Sequence, residues 1–160
     1  MLNAGQSAPG FRLADSDMAL VDFSKLRGKR NVVLYFYDKD NLPGSTVEAI
    51  EFSDLDADFE RCNCIVLGVS PDDWVSHAEF RDRHGLTVTL LSDPECEVCR
   101  SYDVVKPCSA EQSAAPPARP HVLRSTFVID RHGKVRHALY GVSPKGHASA
   151  VLNLVKTLPH

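Results

Sequence analysis

Residues 35–52, YFYDKDNLPGSTVEAIEF, have the form of a strand that delivers a reactive group to the start of a helix. Apolar strand formers give way to polar residues, the chain turns at Pro43-Gly44, and the residue at the expected helix start is Ser45. A helix N-terminus concentrates unpaired N–H groups and positive dipole, which suits a nucleophile that carries negative charge. Ser45 is therefore open to two readings. As a nucleophile it needs a base within hydrogen-bond reach and an acid to orient that base. LPGST is not a G-x-S-x-G elbow, and no histidine adjoins it in sequence. As a helix cap it needs only backbone N–H groups, and Ser45-x-x-Glu48 has the spacing of a capping box. The local pattern favours the cap.

The thiols are the other reactive groups. Cys62, Cys64, Cys96, Cys99 and Cys108 make an odd count. The N-terminus MLNAGQSAPGF lacks the basic and apolar regions of a secretion signal. Reduced thiols in the cytoplasm are the expectation, not a disulfide framework. Cys96-x-x-Cys99 permits redox chemistry or plain packing, because a buried free cysteine behaves as a small hydrophobe. Packing is the favoured reading there, and also for Cys62 and Cys64. Cys108 lies in a proline-rich stretch, 107–122, is the thiol most expected at the surface, and is a further candidate redox thiol if that stretch folds over 38–45. The seven histidines show no metal-site spacing, so neither a metal nor a cofactor is expected. A net charge of −3 argues against a nucleic-acid binder, which needs a basic face. No apolar run is long enough to cross a membrane.

The elements around these residues follow from periodicity. NVVLYFY (31–37) and CIVLGVS (64–70) read as strands buried on both faces. A helix over 46–61 between them, with Val47, Ile50, Leu55 and Phe59 inward and its acids in solvent, completes a parallel βαβ unit. PDDWVSHAEFRDRHG (71–85) predicts a helix closed by Gly85. LTVTLLS (86–92) predicts a strand, and DPECEVCRSYDV (93–104) a short helix. STFVID (125–130) and KVRHALY (134–140) predict a hairpin about Gly133. KGHASAVLNLVKTL (145–158) closes the chain as an amphipathic helix. The expectation is one α/β domain over 1–160, with the loop 38–45 at the carboxyl end of a strand, where such folds bind ligands.

Taken in order, APGFRLADSDMALVDFSKLRGKRNVVLYFYDKDNLPGSTVEA, LGVSPD, LLSDP, YDVVK and RSTFVIDRHGKV resemble a peroxiredoxin of the bacterioferritin-comigratory-protein, or Q, type, over about residues 5–157. The resemblance implies the thioredoxin-like (peroxiredoxin) fold, a central mixed sheet flanked by helices. It implies reduction of hydrogen peroxide and organic hydroperoxides by a cysteine that a thioredoxin-type reductant restores, and a protein that is often monomeric. The family's loop has the form Pro-x-x-x-Thr-x-x-Cys. Here those places hold Asp38, Leu42 and Ser45. Pro43, Gly44 and Thr46 match the surrounding pattern as substrate-binding positions, and Glu48 and Arg124, the latter at the place of the active-site arginine, match it as catalytic ones. The places of a second, resolving cysteine hold Ile50 and, nearby, Arg81.

The family reaction needs a soft thiolate that accepts oxygen from the O–O bond and becomes a sulfenic acid. A serine hydroxyl ionises far less readily and has no equivalent oxidised state. Leu42 removes a hydroxyl that would bond the peroxide. Asp38 either turns inward to pair with Arg124 or faces solvent. The expectation is a chain inactive or weak as a peroxidase, its nucleophile lost naturally or by an introduced change. The alternative is a non-catalytic thioredoxin-fold module for binding or redox regulation.

Overall fold

The computed structural model describes residues 1–106 and 121–159. In chain order the strands are β1 (Arg12–Asp15), β2 (Leu20–Asp22), β3 (Asn31–Phe36), β4 (Cys64–Ser70), β5 (Thr89–Ser92), β6 (Val105–Lys106), β7 (His121–Val122), β8 (Ser125–Ile129) and β9 (Val135–Tyr140). The helices are α1 (Phe23–Leu26), α2 (Pro43–Asp54), α3 (Asp56–Arg61), α4 (Trp74–His84), α5 (Glu97–Ser101) and α6 (His147–Val155).

A seven-stranded mixed sheet runs β2-β1-β5-β4-β3-β8-β9, as the α/β reading requires, and β6 pairs with β7 beside it. β3, β4 and β5 are parallel, while β8 runs antiparallel to β3. All six residues of β3 are buried, because the strand feeds both faces of the sheet. Val33 and Tyr35 join Phe52, Phe59, Phe80, Val151 and Val155 on one face. Val32, Leu34 and Phe36 join Phe11, Phe23, Tyr102 and Phe127 on the other. Alternation along a pleated strand produces this division. Where the Tyr35 ring crosses β4, a Cβ on Gly68 would lie 2.5 Å from the ring, so only glycine fits there.

β4, α4, the hairpin of β8 and β9, and α6 lie where periodicity puts them. Asp73 caps α4 by accepting the Ser76 N–H, and Gly85 closes it with φ 61°. The single helix expected over 46–61 is instead two, parted at Leu55. Its first half is also rotated relative to the apolar pattern. α2 buries Ser45, Glu48, Ala49 and Phe52 and leaves Val47 and Ile50 exposed. Hydrophobicity misassigns this face because its inner side carries a carboxylate whose partner, Arg124, lies 76 residues away, just before β8. The N-terminal strands β1 and β2 are too short to announce themselves by period. β1 enters the sheet antiparallel to β5.

Candidate active site

The loop 37–42 leaves the carboxyl end of β3 and turns into α2. Pro43 occupies the first helical turn, where its missing N–H costs nothing. The cap position is Leu42, which offers no side-chain hydrogen bond and is 41% exposed. Ser45 thus sits inside the first turn and not at the cap, and the expected capping box does not form. Thr46 ties the turn instead. Its N–H and its hydroxyl both donate to the Leu42 carbonyl, at 2.9 and 3.0 Å.

Arg124 immediately precedes β8. Because Phe36 pairs with Ser125, the antiparallel strand brings Arg124 back to the same end of β3. Its Nη1 donates to Glu48 Oε1 at 2.7 Å, and its Nη2 to Ser45 Oγ at 3.4 Å. Glu48 reaches across to the guanidinium and not back to its own helix start. The guanidinium lies against the backbone of the helix. A Cβ on Gly44 would stand 3.0 Å from Nη2 and 3.3 Å from Pro144 Cγ. Glycine at 44 therefore admits the cation to the first turn of α2.

Ser45 is 2% exposed and Glu48 is fully buried. Burial pushes the Glu48 carboxyl up to about 7, against the pull of Arg124, which favours the ionised form. Its second oxygen, Oε2, has no partner among the described residues. On α6, His147 shares a 2.7 Å hydrogen bond with the Thr126 hydroxyl. Burial and the Arg124 charge both hold its imidazole below the usual range.

Asp38 takes neither course open to it in the sequence. It turns toward β7, accepting the Val122 N–H at 2.9 Å, with His121 Nδ1 at 3.4 Å. Arg124 pairs with Glu48 instead, whose carboxylate comes from the helix on which the guanidinium rests.

A polar network that sequence reasoning missed anchors the loop from below. Asp40 Oδ1 accepts from the Tyr37 hydroxyl at 2.6 Å. Asp40 Oδ2 lies 2.8 Å from the Ser76 hydroxyl and 2.7 Å from His77 Nδ1. His77 Nε2 faces the Leu91 carbonyl at 3.0 Å, and the Asp40 N–H donates to Asp72 Oδ2 at 2.8 Å. The donor atoms of Asp40, Asp72 and His77 lie within 4.8 Å of one another, a spacing a metal ion could use. Each of the three groups is instead engaged in hydrogen bonds within the protein. Asp40 and His77 are 37 residues apart and neither belongs to a local motif, so no short-range signal reveals the pair.

The described cysteines, Cys62, Cys64, Cys96 and Cys99, are buried thiols. Cys96 stands at the cap of α5 with φ 55°, and Cys99 donates its N–H to Asp93. Burial raises the Cys99 thiol, with Asp93 adding to the effect, and raises Cys64 to about 12. Among the described residues the Ser45 side chain hydrogen-bonds to Arg124 and not to any of the four. Cys108 lies outside the described residues. The contact to Ser45 Oγ is a guanidinium, which cannot take a proton. The hydrolase reading therefore lacks its base among the described groups.

The sequence pattern of the AhpC/TSA family matches residues 4–138. The putative peroxiredoxin bcp of Helicobacter pylori is 41% identical over 151 residues, covering 94% of this chain and 96% of that protein. Peroxiredoxin Bcp of Bacillus subtilis is 33% identical, covering 98% and 97%. Among solved structures, a cysteine-to-serine mutant of Xylella fastidiosa PrxQ superposes with a TM-score of 0.88 at 35% identity, covering 98% of this chain and 96% of that one. Xanthomonas campestris bacterioferritin comigratory protein, described with alkyl peroxide reduction activity, gives 0.83 at 34%, covering 91% and 90%.

Proposed function

We propose, for a chain that belongs to the AhpC/TSA family as a peroxiredoxin of the bacterioferritin-comigratory (Q) type, that its family site persists with an oxygen in the place of the reactive sulfur. The family's substrates are hydroperoxides and its reductants are of the thioredoxin type. In this chain Ser45 does not carry out the first step. A thiolate attacks one peroxide oxygen, the O–O bond breaks, the alcohol leaves with a proton, and the sulfur is left as sulfenic acid. A hydroxyl at 45 neither ionises readily nor holds the transferred oxygen. With Ile50 in a resolving position, a thioredoxin-type donor finds no disulfide to reduce at this site.

The observation that carries this reading is the contact of Arg124 with both Ser45 and Glu48 at the start of α2. The cation that would stabilise a thiolate is in place, and the atom beside it is oxygen. Buried thiols at all four described cysteines fit a reducing, cytoplasmic setting. The second reading, a binding or redox-regulatory module, draws on the same fact, because an intact cationic pocket without a nucleophile remains a pocket that can hold a ligand.

Hydroperoxide consumption by the unaltered chain and by Ser45→Cys, each supplied with thioredoxin and its reductase, tests the proposal. No turnover is expected from the first and measurable turnover from the second, rising further in Ser45→Cys with Leu42→Thr. Turnover by the unaltered chain refutes the assignment of Ser45.

A further inference from the structure

We propose that Cys96 and Cys99 are a redox site separate from the pocket at α2, and that they close a reversible disulfide by exchange with a low-molecular-weight disulfide. The inference does not depend on the assignment of Ser45.

The two thiols sit where β5 passes through Asp93 into α5. Inside a regular helix, side chains three residues apart stand about 5–6 Å apart at Cβ, wider than the roughly 3.5–4.5 Å of a disulfide. Cys96 escapes that limit. It is the cap of α5, with φ 55°, and it makes no side-chain capping bond. Its thiol instead meets that of Cys99 in a hydrogen bond. The Cys99 thiol also bonds the Asp93 carboxylate. The oxygens of that carboxylate accept the N–H groups of Cys99 at 2.9 Å and Val98 at 3.4 Å. A buried carboxylate therefore stands against the dithiol, placed to take the proton of the second thiol.

Both sulfurs are buried, but the cover over them is thin. Pro94, Glu95, Glu97 and Arg100 are exposed, and α5 has only five residues. Two non-glycine residues in the left-handed region bracket it, Cys96 at φ 55° and Asp103 at φ 59°. A short element with strained ends opens locally more readily than the sheet behind it.

When α5 opens, the Cys96 thiolate attacks one sulfur of the small disulfide and expels the other as a thiolate. Cys99 then gives its proton to Asp93, attacks the Cys96 sulfur of the mixed disulfide and expels the second thiolate. Two protein thiols are oxidised to one disulfide, the small disulfide is reduced to two thiols, and the two cysteine protons end on the leaving groups. The S–H bond to Asp93 exists only in the reduced pair and favours it. The pair therefore oxidises only when the surrounding thiol pool does, as a switch and not as a structural crosslink. In the closed form, burial and Asp93 hold Cys99 protonated, so brief alkylation leaves it untouched. The pair also lies close along the backbone to the active-site cation. The Val104 N–H donates to the Cys99 carbonyl at 3.0 Å, the Leu123 N–H to the Val104 carbonyl at 2.7 Å, and Arg124 follows.

Overnight equilibration of the folded chain in glutathione buffers of rising disulfide content tests the site, with acid quenching, alkylation in denaturant and peptide mass spectrometry. The peptide carrying Cys96 and Cys99 is expected to lose two hydrogens and to regain them in reduced dithiothreitol, while Cys62 and Cys64 remain alkylated. Cys99→Ser is expected to accumulate a glutathione adduct on Cys96 roughly tenfold above the unaltered chain, because its second step is removed. The mapping of the unaltered chain stands whether or not that variant folds. No bridge within this peptide at any glutathione ratio, a bridge that forms only in denaturant, a bridge from either thiol to Cys62, Cys64 or Cys108, or absence of the adduct in folded Cys99→Ser overturns the proposal.

Discussion

Replacing Glu48 by glutamine is expected to make the protein more stable in neutral solution and to leave it nearly unchanged in acid. The Glu48 carboxyl, ordinarily near 4.5, is raised to about 7 by burial even with Arg124 beside it. The unfolded chain releases this proton near the lower value and the folded chain near the higher one. Between them the native state binds the extra proton, so stability falls as pH rises through that window. The gap, at about 1.4 kcal/mol per pH unit, comes to about 3 kcal/mol once pH exceeds 7. Below 4.5 both states are protonated and the burden is absent. Glutamine keeps the shape and donor capacity of the neutral acid and does not titrate. Urea unfolding of both chains at about pH 4.5, 6 and 8 measures the effect. The variant's advantage is expected to grow from near zero to about 3 kcal/mol across the series. A difference independent of pH, or one that turns against the variant as pH rises, refutes the reasoning. It would mean that Glu48 is ionised throughout and that the pair with Arg124 outweighs its desolvation.

Other perturbations have equally definite outcomes. The Tyr35 hydroxyl is buried without a partner among the described residues, so Tyr35→Phe is expected to raise stability by about 1 kcal/mol in thermal or urea unfolding. His77→Ala leaves Asp40 buried without its imidazole, and the loss is expected to be about 3–5 kcal/mol by the same measurement. A double variant with Asp40→Ala is expected to lose less than the sum of the two single changes. Alkylation followed by mass spectrometry is expected to leave Cys62, Cys64, Cys96 and Cys99 unmodified in the folded protein and to label all four in denaturant, because burial keeps them from solvent and holds Cys64 and Cys99 as thiols.

The parts of the fold that periodicity exposes are those whose burial is decided locally. β3 and β4 are apolar at nearly every position because both faces are covered, and α6 carries one apolar stripe toward the sheet. α4 and the β8–β9 hairpin declare their ends through Asp73, Gly85 and Gly133. α2 does not yield to the same reasoning. Its inner face combines Ala49 and Phe52 with Glu48, whose partner Arg124 lies 76 residues on, and its apolar residues Val47 and Ile50 face out. Asp38 is settled by the backbone of β7, a two-residue strand with no pattern to read. The family resemblance pointed to Ser45, Glu48 and Arg124, which lie in contact in the structure. It could not say that Glu48 would hold the guanidinium, nor that Asp40 and His77 would clamp the loop beneath.

The place of Arg124 at the foot of β8 also governs when the pocket can exist. Residues 35–52 leave the ribosome early and can form the βαβ unit with β4 from neighbouring sequence. Arg124 arrives only after a further half of the chain, and its position depends on β8 docking against β3 and being held by β9. Such distant pairings close late, after the loop entropy between them has been overcome. Until then Glu48 has no counter-charge, and Ala49 and Phe52 alone draw that face of α2 against the sheet. Newly made chains cut short before the hairpin should therefore display the strand, the loop and the helix but lack the guanidinium that joins Ser45 to Glu48.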